Sequence, residues 1–353
     1  MKFLHISDLH IGSALTTHLD PKQVTVRRRE ILDAFRRAVE FGVNEGVDAV
    51  LIAGDLFDTS EVGVRMLTQV RDVIRTNKSL PFFYVSGNHE GDAFLETGKT
   101  LSNFYTFGET FTYYDFGEVR IHGANTTDTN MFSRLEIDRE KKNIVLLHGE
   151  WADRSAPDGV IGLRELEERG VDYLALGHYH SFSVKEIFGG GVAVYAGTPE
   201  GRGFDEAGQK GVVLFDTSDF VPHFYPLAKR TVHVIEVDSK GAKSLDEVLD
   251  RVDERLRGIS TDDLVELKTV GACDTTIHLD EELFYSRYKN FFWHFVYKNK
   301  TTPDISIEDL KYDVSIQGEF TRLVLEDGSL SEEEKRDILE CGLLAMLGER
   351  WTE

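Results

Sequence analysis

The stretch Asp48-Ala49-Val50-Leu51-Ile52-Ala53-Gly54-Asp55-Leu56-Phe57-Asp58 decides how the chain reads. Its apolar run is short, has no helical spacing and fits a strand buried on both faces, and the Gly-Asp after it lets the backbone turn sharply at the strand end. The same design recurs on either side. Phe3-Leu4-His5-Ile6 runs into Ser7-Asp8-Leu9-His10, and Phe82-Phe83-Tyr84-Val85-Ser86 into Gly87-Asn88-His89-Glu90. Further along, Ile144-Val145-Leu146-Leu147 leads to His148-Gly149-Glu150, and Tyr173-Leu174-Ala175-Leu176 to Gly177-His178-Tyr179-His180. Between the first two runs, Ile31, Leu32, Phe35, Ala38 and Val39 recur at the spacing of an amphipathic helix. Short buried strands alternating with helices predict an α/β domain. In such sheets ligands bind along the edge formed by the strand ends.

The remaining pattern predicts a second domain. After Lys229-Arg230 a strand begins at Thr231-Val232-His233-Val234, followed by a helix with Ser244 and Glu247 in capping-box spacing and Gly258 at its end. This βαβαβ-like unit predicts domains at 1–230 and 231–330, with an amphipathic helix over 331–353. In that last segment Ser331 and Glu334 form a second capping-box pair, and Leu339, Leu343, Met346 and Leu347 make a stripe ending near Trp351. The stripe is expected to cover the chain's own C-terminal domain or to lie in a partner's groove.

The 353 residues carry 40 basic and 62 acidic side chains, a net charge of −22, which excludes a binder working by overall positive charge. The excess is heavier in the second part, with 15 basic against 28 acidic residues over 231–353. Two cysteines, Cys273 and Cys341, are too few for a disulfide scaffold and too far apart for a zinc motif. With no apolar leader or membrane-length run, the reading is a soluble cytoplasmic protein without a membrane partner.

Taken singly, each strand-end motif is ordinary turn chemistry. Jointly they offer carboxylates, an asparagine and several imidazoles without cysteine, a donor set suited to Mn, Fe, Zn or Ni.

In order and spacing, Asp8-x-His10, Gly54-Asp55-x-x-Asp58, Gly87-Asn88-His89-Glu90, His148 and Gly177-His178-x-His180 resemble the five blocks of the calcineurin-like metallophosphoesterases. Ile6 to Gly12, Ala53 to Thr59 and Leu176 to His180 further resemble DNA repair nucleases of the SbcD type. Tyr195-Ala196-Gly197-Thr198-Pro199-Glu200-Gly201-Arg202 is most similar to their YhaO-like branch. The resemblance implies a four-layer αββα sandwich with a smaller C-terminal α/β capping domain. It also implies two divalent metal ions, Mn foremost: Asp8, His10 and His180 would hold one, Asn88, His148 and His178 the other, and Asp55 would bridge them. His89 would be the catalytic histidine, with Asp58 orienting it or a ligand, or else capping the next helix.

The function so implied is a metal-dependent phosphodiesterase acting on DNA. It would be a repair exonuclease with room for single-strand endonuclease activity, by two-metal in-line hydrolysis. DNA and an SMC-like coiled-coil ATPase would be its partners, and a homodimer remains open. Two alternatives stand beside it: a phosphatase or phosphodiesterase for protein or small-molecule phosphoesters, and a weakly catalytic subunit that docks the ATPase. Glu90 departs from the Asp more usual in repair nucleases and is typical of the phosphatase branch. For substrate contact, Arg28 and Arg29 in the Arg27-Arg28-Arg29 run stand against a solvated face paired with Glu30 and Asp33. Arg202 is read as a substrate or metal-edge residue.

Overall fold

The computed structural model describes residues 1–15, 19–90, 93–125, 131–153, 160–304 and 307–346. Among them the chain divides into two compact units, 1–233 and 234–353.

The first unit is built on two six-stranded sheets. In spatial order the first holds His223–Pro226, Gly211–Asp216, Lys2–Ile6, Ala49–Ala53, Phe82–Val85 and Phe104–Thr106; the last four are mutually parallel. The second holds Ser183–Glu186, Val192–Tyr195, Tyr173–Gly177, Lys142–His148, Val119–Gly123 and Thr112–Phe116, with the middle four parallel. Alternation along each strand feeds two cores. Phe3, Leu51 and Phe83 point inward to meet Ile144, Leu146, Tyr173 and Val194 between the sheets. Leu4, Ile6, Val50, Ile52 and Tyr84 point outward, against helices α1 (Pro21–Asn44) and α2 (Val64–Thr76) and the short α3 (Ala93–Gly98). α1 starts where Asp20 accepts from the amides of Lys22 and Gln23 and the Gln23 side chain returns to the Asp20 amide.

The layer outside the second sheet is the thinnest. Among the described residues it consists of 3₁₀ turns at Met131–Arg134 and Leu163–Leu166 and the strand pair Glu150–Ala152 with Val160–Gly162. Phe132, Leu163 and Leu166 close its core over Leu147, Leu174 and Leu176. The result is an α/β sandwich in which the parallel strands of both sheets end toward one site.

The second unit carries Val232–Asp238, α4 (Leu245–Leu256), Leu264–Cys273, α5 (Glu281–Tyr288) and His294–Pro303, in a three-stranded sheet whose last two strands pair in parallel. Ser244 caps α4 through the Glu247 amide. Three helices follow: α6 (Ile307–Leu310), α7 (Ile316–Glu326) and α8 (Glu332–Met346). The Ser331–Glu334 box forms as expected, and Leu339 and Leu343 are buried against Val324 of α7. Leu339 and Leu343 of the α8 stripe therefore cover the chain's own helices, while Met346 of the same stripe is exposed. Its expected continuation through Leu347 to Trp351 lies outside the described residues. The aromatic run before the last strand is not uniformly interior: Phe284 and Tyr288 are buried, but Phe291 is exposed. Among the described residues no helix is long and apolar enough to cross a membrane.

Candidate metal centre

Five strand ends converge on one cluster. Asp8, His10 and His180 bring ligand atoms within 4.8 Å of one another, as do Asp8, Asp55 and His148, and His10, Asp58 and His89. Asn88 joins through Oδ1, 2.9 Å from His148 Nε2, and the His178 ring lies 5.6 Å from that of His148. All seven residues expected to bind metal thus meet, together with His89 and Asp58.

The backbone is bent to achieve this. Asp8, His10, Asp55 and His178 hold φ of 52°, 47°, 48° and 115°, and non-glycine residues at such values store on the order of 1–3 kcal/mol each. The neighbouring glycines leave room: a Cβ on Gly54 would strike the His148 ring, and one on Gly87 would strike the Asp55 carboxylate. Backbone amides of neighbouring strand ends fix the carboxylates. Asp8 Oδ1 accepts from the His178 amide at 2.9 Å and Asp55 Oδ1 from the His89 amide at 3.0 Å.

The centre has a buried floor and an open rim. Asp8, His10, Asp55 and His148 are buried; Asn88, His89 and His178 are exposed. Floor chemistry favours a cation. Asp8 Oδ2 is buried without a hydrogen-bond partner, and burial raises the Asp8 carboxyl above the usual range. The Ala53 carbonyl accepts from His148 Nδ1 at 2.9 Å, so Nε2 is the atom facing two oxygens, Asn88 Oδ1 at 2.9 Å and Asp55 Oδ2 at 3.3 Å. Burial opposes charge on both partners, yet their contact overrides it, drawing Asp55 down to about 2 and His148 up to about 9. A nitrogen whose partners are all acceptors, beside an orphaned carboxylate oxygen, suits a positive ion. His10 Nε2 and His180 Nε2 likewise face each other at 3.2 Å.

Of the supporting groups, Asp58 and Arg202 are read in the sequence, whereas Glu200 and Glu206 have no role assigned there. Glu206 Oε1 lies 2.7 Å from His180 Nδ1, and Asp58 Oδ1 approaches His10 Nδ1 to 3.0 Å at an angle short of a hydrogen bond. Arg202 donates to both carboxylates. Behind it, buried Glu200 takes Arg27 and Arg37. Arg27 is fully buried, so of the arginine run only its neighbours face outward: Arg28 donates to the carbonyls of Ser13 and Ala14, and Arg29 is 84% exposed beside Asp33. The signal for Arg27 was present, because it precedes Ile31 and Phe35 on the apolar face of α1 by one and two turns. Glu90 is buried too. Its carboxylate accepts from the amides of Phe57 and Gly87, and burial pushes it up to about 7. That residue fastens the loop and does not face the rim, so its identity carries no information about substrate.

Fold and site together define a hydrolase of phosphoesters. A family model described as calcineurin-like phosphoesterase matches residues 1–182, and the chain belongs to that family, whose members use a binuclear divalent metal site. Over 244 residues the chain is 28% identical to the DNA double-strand break repair protein Mre11 of Sulfurisphaera tokodaii, covering 63% of this chain and 61% of that one. The match thus spans less than two thirds of the relative's length. Among solved structures the chain is similar to a protein of Thermus thermophilus, with TM-score 0.45 and 13% identity over 64% of this chain and 98% of the other. A dimetal phosphatase from Danio rerio is similar at TM-score 0.41 and 13% identity, over 61% and 91%.

Proposed function

We propose that this chain is a two-metal phosphodiesterase acting on DNA, a repair exonuclease of the SbcD type located in the cytoplasm. The observation that carries the reading is the 28% identity to Mre11 over 244 residues, beside a cluster of metal-binding side chains. The orphaned Asp8 oxygen, the facing His10 and His180 nitrogens and the cysteine-free donor set fit two divalent ions, Mn foremost with Fe, Zn and Ni as alternatives. Asp8, His10 and His180 would hold one, Asn88, His148 and His178 the other, with Asp55 between. When bound, such a pair supplies Lewis acidity toward phosphoryl oxygens and activates an attacking water near neutral pH.

The chain's own residues do the rest. His89 stands exposed at the rim, its ring 4.9 Å from that of His10, where it can hand a proton to the departing oxygen. Arg28 and Arg29 are proposed as substrate contacts, while Arg202, bonded to Asp58 and Glu206, belongs to the metal edge. An SMC-like ATPase would dock on the second unit. Support comes from the start of α7, where Tyr312, Val314 and Ile316 are 86%, 98% and 72% exposed, and Leu323 follows two turns on. Apolar side chains that protrude together mark a contact surface.

The test is a side-by-side assay with Mn of end-labelled double-stranded DNA and a phosphomonoester. Release of nucleotides from DNA ends supports the reading. Hydrolysis of the monoester alone contradicts it.

A further inference from the structure

We infer that Arg202 is a positioning residue that clamps two carboxylates, Asp58 and Glu206, behind two histidines of one metal position, His10 and His180. The inference rests on the binuclear reading above and concerns how the chain sets one position apart from the other.

The guanidinium is fully engaged. Nη1 donates to Asp58 Oδ1 at 3.0 Å, Nε and Nη2 to Glu206 Oε1 at 2.9 and 2.6 Å, and the Arg202 amide to Glu206 Oε2 at 2.6 Å. Nη2 also lies 3.3 Å from His180 Nδ1. Glu206 is buried, with its Oε1 shared between His180 Nδ1 and the Arg202 guanidinium. A carboxylate at His180 Nδ1 keeps the proton on that nitrogen, so that Nε2 presents a lone pair toward the shared point with His10.

Asp58 needs restraint as well as support. It lies in a cluster with His10 and His89 that could itself gather a metal ion. Held by Arg202, it stays beside His10 Nδ1, on the far side of the ring from Nε2.

The loop that presents Arg202 is fastened from behind. Glu200 accepts from Arg27 Nη1 at 2.9 Å, Arg37 Nη2 at 2.5 Å and the Lys229 amide at 2.7 Å, while Arg27 Nη2 donates to the Gly201 carbonyl at 2.5 Å. The second position is supported differently. His148 Nδ1 is tied to the neutral Ala53 carbonyl, and among the described residues no carboxylate or arginine bonds to that nitrogen. Loss of the clamp should therefore act on one position and spare the other.

The experiment is calorimetric titration of Mn into the metal-free full chain, comparing wild type with Arg202→Gln, Arg202→Lys, Glu206→Gln and Asp8→Asn, with the melting temperature of each metal-free protein recorded. Asp8→Asn identifies which binding step belongs to the Asp8 position. The expected result is that Arg202→Gln and Glu206→Gln weaken that step by about 10–100-fold, the range for groups that orient metal-binding histidines, and leave the other step at its wild-type affinity. Arg202→Lys should fall with Gln, because one ammonium cannot fork between two carboxylates. Two outcomes overturn the inference while leaving the binuclear reading in place: wild-type affinity at both steps in the variants, or equal weakening of both steps together with a fall in metal-free melting temperature, which would make Arg202 a general loop brace. Wild-type protein that binds fewer than two ions would instead remove the binuclear reading itself.

Discussion

The metal centre and the helical end of the second unit break the same rule in opposite directions. At the centre, Asp8, His10, Asp55 and His148 are buried polar groups; at α7, Tyr312, Val314 and Ile316 are exposed apolar ones. Either departure costs stability, since a buried charge needs a partner and an exposed apolar side chain forgoes burial. In the reading proposed above the first takes a cation, and the second, which nothing among the described residues covers, takes a partner's apolar surface. The difference lies in how each is held. The floor has backbone amides bonded to its carboxylates, left-handed backbone and the Arg202 clamp, whereas α7 rests on an apolar cluster with Val324, Leu339 and Leu343 and on Arg322 bonds to the Lys311 and Asp313 carbonyls.

The sharpest break of this comparison is Asp55→Asn. The amide keeps the shape and can still accept from the His89 amide, but it removes charge from the group that lies 3.7 Å from His10 Nε2 and 3.3 Å from His148 Nε2. Activity should be abolished with the fold intact, as read by circular dichroism and an Mn-dependent DNA assay; wild-type turnover would show that Asp55 serves neither position.

His89→Gln separates floor from rim. With the floor untouched, bound metal should match wild type while kcat falls, on the order of 10²–10⁴-fold for a lost proton donor. If metal content drops as far as in His178→Ala, His89 is itself a ligand.

On the second unit, Leu339→Ala should destabilise by about 2–5 kcal/mol, as a fully buried leucine does when truncated. Val314→Ser, just before α7 and almost fully exposed, should stay within about 0.5 kcal/mol. Denaturant melts give both numbers. Equal losses would mean that Val314 is packed and that no apolar face is on offer there.

How far the sequence could be read follows from the range of each interaction. Asp8 and His10 share a turn, and Gly54-Asp55 and Gly177-His178 carry their own bend, so each strand end is legible from a few residues. That three of them end one sheet and two end the other, all toward one site, is seen only in the fold. Asp58 and Arg202 were legible as supporting residues but their pairings were not, because these join distant positions: Arg202 reaches Asp58 across 144 residues and Arg27 reaches Glu200 across 173. Glu206 lies four residues beyond the Arg202 motif, yet nothing local distinguishes a carboxylate that backs a histidine from one on a loop surface. For α8, the stripe showed that Leu339 and Leu343 would be covered but could not say by what; α7 answers that, and its own exposed face had no periodic pattern to announce it.

The central claim is that five strand ends build a centre for two ions held in common by Asp55. Native mass spectrometry of the full chain equilibrated with Mn measures this most directly. The account predicts a dominant species with two Mn ions per chain in the wild type and loss of both in Asp55→Asn. A wild-type chain that saturates with a single ion, or an Asp55→Asn chain that still carries two, would contradict it.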